Sequence, residues 1–105
     1  MEDRILSLLG LAQRAGKIIT GEERVLAAVR SGEARLVILA SDAAKNTRKK
    51  LTDKCLSFGV QLIEFGTRTQ LGHALGKQER VVVSINDDGF ARLVLNGLEK
   101  SSIKR

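Results

Sequence analysis

Apolar residues recur at helical spacing from the start of the chain. Ile5, Leu6, Leu8, Leu9, Leu11, Ala12 and Ala15 form one stripe, and Gly16 follows where a helix C-terminus favours glycine. This predicts a first helix over residues 2 to 15. Lys17-Ile18-Ile19-Thr20 is a short extended run, and Thr20-Gly21-Glu22-Glu23 then matches a T-x-x-E capping box. A second helix follows, burying Val25, Leu26 and Val29 and stopping near Ser31-Gly32. Leu36-Val37-Ile38-Leu39-Ala40 is apolar throughout rather than alternating, the pattern of a strand covered on both faces. Ser41 to Thr47 reads as a polar loop. Leu51, Cys55 and Phe58 then mark one face of a third helix, closed by Gly59.

The second half repeats the alternation. Residues 60–65 read as a strand, and Thr67-Arg68-Thr69-Gln70 is another capping box, opening a short helix through Leu71, Ala74 and Leu75 that ends at Gly76. Val81 to Ile85 is a β-branched strand. Asn86-Asp87-Asp88 offers N-cap chemistry to a last helix carrying Phe90, Leu93, Val94 and Leu98, with Gly97 weakening its end. The run Ala91 to Leu95 would also suit a strand, but the 3.6-residue period from Phe90 favours the helix. The order α-β-α-β-α-β-α-β-α predicts an α/β fold: a three-layer α/β/α sandwich around a mixed sheet of about four strands. One domain over residues 1–100 is expected, with 101–105 as a basic tail.

Composition narrows the chemistry. The chain has 105 residues, 43% hydrophobic and 29% charged, which suits a packed globular core rather than disorder. No apolar run approaches the ~18 residues of a membrane span, so a soluble, cytoplasmic monomer is expected. The single cysteine, Cys55, cannot form an internal disulfide, and with His73 alone it falls short of a structural zinc site. Cys55 shares its helix face with Leu51 and reads as a packed thiol, His73 as a surface imidazole, and Asp87-Asp88 as helix caps. No G-x-G-x-x-G, P-loop or G-x-S-x-G motif is present, so neither a cofactor nor a catalytic centre is expected.

The net charge of +6 is unevenly distributed. Lys45, Arg48, Lys49, Lys50 and Lys54 follow the most apolar strand, and Arg68, Lys77 and Arg80 surround the fourth helix and its exit. Loops after strands gather at one edge of such a sheet, where helix N-termini present free N–H groups and partial positive charge. That edge suits phosphate, although a cationic run on a helix also serves as plain solvated surface. With three phenylalanines and no Trp or Tyr, stacking platforms are scarce, so nucleic-acid contact would rest on charge, backbone amides and shape.

Gly10-Leu11-Ala12-Gln13-Arg14-Ala15-Gly16-Lys17, Gly21, Leu36 to Asp42 and Leu71-Gly72-His73-Ala74-Leu75-Gly76 together resemble the ribosomal protein L7Ae/L30e superfamily, over nearly the whole chain. Ala44 to Lys50, Cys55, Arg80 to Val83 and Asp88-Gly89-Phe90-Ala91 resemble its bacterial, YlxQ-like branch. The resemblance implies an α/β/α sandwich that binds RNA, typically kink-turns. Contact would run through the start of helix two, the loop after the second strand and the loop before the last strand. The family's reading turn, Gly-x-Asn-Glu-x-x-Lys, falls on Gly21 to Ala27, and only the glycine matches: Glu23, Arg24 and Ala27 replace Asn, Glu and Lys. The hydrogen-bond pattern offered to guanines is therefore not preserved.

The resulting expectation is non-catalytic binding of structured RNA, ribosomal or kink-turn-like. Lys17, Lys45, Lys49, Lys50, Lys77 and Arg80 would supply cations, and Asn46 and Thr47 polar contacts. Gly21 and Gly76 would allow close backbone approach, and Glu22, Glu23 and Arg24 occupy the reading turn, with Arg24 the main candidate for selectivity. Glu23 also has a structural reading, as the capping-box partner of Thr20. The alternatives are a protein-interaction module of a ribosome or translation-factor assembly, and a small enzyme on the same scaffold.

Overall fold

The computed structural model describes residues 2–103, with side chains for 4–98. Nine elements follow in the expected alternation: α1 (Glu2–Arg14), β1 (Ile18–Thr20), α2 (Glu22–Ser31), β2 (Leu36–Leu39), α3 (Lys45–Phe58), β3 (Leu62–Glu64), α4 (Arg68–Ala74), β4 (Val82–Ile85) and α5 (Asp88–Ile103). The four strands form one mixed sheet in the order β1-β4-β2-β3. Strands β2 and β3 run parallel, and β4 is antiparallel to both of its neighbours.

Each strand face has its own core because successive side chains point to opposite sides. Leu36, Ile38, Val83 and Ile85 pack with Ile5 and Leu9 of α1, Leu71 of α4 and Val94 of α5. Val37, Leu39 and Val82 face the other way, onto Val25 and Val29 of α2 and Leu51 and Cys55 of α3. The uniform apolarity of β2 is thus the signature of a strand buried on both sides, and all four of its residues are inaccessible. The one buried polar side chain among the described residues, Ser84, donates to Asn86 Oδ1 at 2.6 Å.

Four local expectations are corrected. Thr20 ends β1 instead of capping α2; the N-cap is Gly21, whose φ of 97° suits glycine, with no side-chain hydrogen bond, so Glu23 loses its capping role. Helix α3 begins at Lys45, so Lys45, Asn46 and Thr47 form its first turn rather than a loop. Phe58 turns outward at 47% exposure, with the Lys54 ammonium 5.8 Å from its ring centre, while Leu51 and Cys55 alone take the inward face. Gly97, expected to weaken the end of α5, lies inside a helix that continues through Ile103, and a Cβ there would lie 2.7 Å from Ile5 Cδ1, so the glycine lets α5 approach α1. Helix α5 therefore runs three residues into the segment expected as a tail, whereas Lys104 and Arg105 lie outside the described residues.

Candidate nucleic-acid interface

The parallel and antiparallel registers bring the C-terminal ends of β1, β2 and β3 to the same edge as the N-terminal end of β4. Ala40 N–H donates to Val81 O at 2.8 Å, and Ser41 N–H donates to Gly66 O at 2.7 Å. Helices α2, α3 and α4 all start at this edge, so three helix N-termini converge there. Of these three, only α4 is capped by a side chain. Thr67 Oγ1 accepts from Gln70 N–H, and Gln70 Oε1 accepts from Thr67 N–H at 2.9 Å, as its sequence requires. Helices α2 and α3 open on Gly21 and Ala44, which offer their first-turn N–H groups no side-chain acceptor.

The start of α3 breaks the usual charge rule. Its first turn contains no acidic residue and opens on Lys45, although the helix dipole there disfavours a cation. Such a violation of local preference at a surface concentrates positive potential where an anion can reach it. The start of α2 is the opposite case. Glu22 accepts from Lys50 Nζ at 2.6 Å and from Thr47 Oγ1 at 3.1 Å, tying the first turn of α2 to that of α3. The hydrogen bond from Lys50 holds the Glu22 carboxyl below its ordinary pKa of 4.5, and the same bond raises Lys50 above 10.5.

The expected site residues separate accordingly. Gly21, Glu22, Thr47 and Arg80 line one cavity of about 420 Å³, together with Glu79 and Val81. Lys77 lines an adjoining cleft of about 650 Å³ on the outer side of α4, with Thr69, His73 and again Glu79. Gly76 lies in the turn leading there, at φ 70°. Glu23, Arg24, Lys45 and Asn46 are exposed on the opening turns of α2 and α3. Lys49 points outward and pairs with Asp53 at 3.2 Å, and Lys50 is taken by Glu22. Lys17 is not part of this edge. Its carbonyl accepts from Asn86 N–H at 2.9 Å, beside the Ile18–Ile85 pair, which puts it at the opposite end of β1 from Gly21. Among the described residues, Arg24, Lys45, Lys77 and Arg80 form no ion pair.

Three residues that shape the edge were not among the expected site residues. Arg48 bonds Glu64 and donates to Ser41 O at 3.0 Å, bracing α3 against the ends of β2 and β3. Asp42 accepts from Arg68 N–H at 2.9 Å and pairs with its guanidinium at 3.6 Å. Gly72 packs under the segment before β4, where a Cβ would fall 2.0 Å from Gln78 O. The signals were present as an arginine within the cationic run, an aspartate after a strand and a glycine inside a helix, but none names its partner.

Residues 3–95 match the ribosomal protein L7Ae/L30e/S12e/Gadd45 family. The RNA-binding protein YlxQ of Bacillus subtilis is 45% identical over 92 residues, which cover 88% of this chain and 92% of that protein. A solved structure of a protein of unknown function from Bacillus halodurans C is 51% identical, with a TM-score of 0.85 over 88% of this chain and 93% of that one. The 15.5kD RNA binding protein of Giardia lamblia is 28% identical, with a TM-score of 0.78 over 90% of this chain and 82% of that one. No described helix is long and apolar enough to cross a membrane. The element order, the two-faced core and these matches agree, and the chain belongs to the ribosomal protein L7Ae/L30e/S12e/Gadd45 family.

Proposed function

We propose that this protein binds structured RNA, ribosomal or kink-turn-like, without catalysing a reaction, at the edge formed by the starts of α2 and α3 and by residues 76–81. The observation that carries this reading is the start of α3, which has no side-chain cap, opens on Lys45 and holds no acidic residue in its own first turn. Arg80 and Lys77 lie on the neighbouring loop and Arg24 on the start of α2. Relatives named as RNA-binding proteins, YlxQ and the Giardia protein, support the same partner class. Phosphates would meet Lys45, Arg80, Lys77 and the first-turn N–H groups, with shape supplied by Gly21 and the cavity beside it.

Titration with a structured RNA across a salt series tests this. If about four phosphates are neutralised, log K falls with log salt at a slope steeper than about −2. Replacing Lys45 and Arg80 together by Ala should flatten that slope by about 1.5 while leaving the thermal transition in place, because both side chains are outside the core. A flat response in the unmodified protein would favour a protein-interaction module instead.

A further inference from the structure

One cation between α2 and α3 is already paired. Lys50 Nζ lies 2.6 Å from Glu22 Oε2, and Thr47 Oγ1 donates to the other carboxylate oxygen at 3.1 Å. Two donors on α3, one of them charged, thus converge on one oxyanion group, as they would on a phosphate. The bridge links residues 28 apart in the chain and sits at the rim of the same cavity as Gly21 and Arg80. It remains accessible, with Glu22 30% and Lys50 53% exposed, so an incoming anion can compete for the ammonium.

We propose that Glu22 is a built-in phosphate competitor: it occupies Lys50 and Thr47 and so limits the sequence-independent affinity of this edge for the sugar–phosphate backbone of RNA. This rests on the RNA-binding reading above. Two effects act in the same direction. A phosphate reaching Lys50 must first displace a carboxylate, so the contact yields little net charge neutralisation. The carboxylate also repels any phosphate docked at Arg80 or at the start of α3. Lys49 is muted in a weaker way by Asp53 on its own helix, an exposed pair that adds little. The bridge from Glu22 differs because it spans two elements and lies within the edge itself.

Glu22→Gln keeps the shape and leaves an amide oxygen for Thr47, but removes the charge. Its binding to a short A-form RNA duplex and to a consensus kink-turn hairpin should rise about sixfold at 0.1 M salt, with the log–log slope steeper by about 0.8, the value of one additional phosphate contact. Lys50→Ala alone should bind more weakly than the unmodified protein, because Glu22 then faces the phosphates unpaired, and Glu22→Gln with Lys50→Ala should lose the slope gained by Glu22→Gln. Unchanged or weaker RNA binding by a folded Glu22→Gln protein overturns the proposal while leaving the RNA-docking reading intact. A salt-independent response in the unmodified protein overturns both.

Discussion

The position that departs most from the family's reading turn is Arg24, where a carboxylate able to accept from a guanine edge is replaced by a group that can only donate. A consensus kink-turn should therefore bind this protein at least about tenfold more weakly, roughly 1.4 kcal/mol, than a relative with the full motif. Restoring the motif by Glu23→Asn, Arg24→Glu and Ala27→Lys should recover much of that loss. All three side chains are exposed, and no capping box at Thr20 stands to be broken. Parallel titrations of both proteins with one hairpin decide it: tight binding by the unmodified chain, with no gain on restoration, places the selectivity elsewhere. At Gly72 the constraint is steric. Gly72→Ala meets backbone on the facing segment and should cost about 1–3 kcal/mol in chemical denaturation. Gly97→Ala meets the end of the Ile5 side chain, which can move aside, and should cost less.

Among the helices, the two threonine motifs have different fates, and mutation separates them. Thr67 holds the start of α4 through a reciprocal box, so Thr67→Ala should lower stability by about 0.5–2 kcal/mol. Thr20 closes β1 opposite Val83 and caps nothing, so Thr20→Ala should leave the start of α2 intact. Urea denaturation checks the loss at Thr67, and faster amide exchange in the first turn of α2 on Thr20→Ala would mean that Thr20 contributes to the helix after all. The reason for the difference is chain direction. The pairing of β1 with β4 keeps Thr20 extended through the sheet, and Gly21 at positive φ makes the turn instead. A capping box read from spacing assumes that its first residue is free to turn.

Across the molecule, the pairing of Glu22 with Lys50 couples α2 to α3 and gives stability a defined pH dependence. The carboxyl is held below its ordinary value, so its contribution is present above pH 4.5 and is lost as pH falls through the folded value. Lys50 is raised, so the same bridge is fully present below pH 10.5 and fades as pH rises through the higher folded value. The melting temperatures of the unmodified protein and Glu22→Gln should differ slightly near neutrality and converge as pH drops below 4.5. A difference that persists in strong acid would assign the effect to packing rather than charge. The gap should be small because both groups are accessible to solvent.

The sequence by itself determined the order of the nine elements, the double burial of β2, the cap of α4 and the concentration of cations after the second strand. Each depends on interactions within a turn or two of chain: the 3.6-residue stripe, the continuous apolar run, the Thr67–Gln70 box. Only the tertiary structure decided which cations act together. The antiparallel entry of β4 between β1 and β2 sends Lys17 to one end of the sheet and Gly21 to the other, although they are four residues apart. Folding α2 against α3 gives Lys50 to Glu22, so a residue that reads as a free cation becomes half of an ion pair. Close approach of the segment before β4 makes Gly72 indispensable where its helix alone would prefer alanine. Periodicity and capping are local and survive in a one-dimensional reading; charge pairing and backbone contact depend on which distant segment arrives, and that is set by strand order.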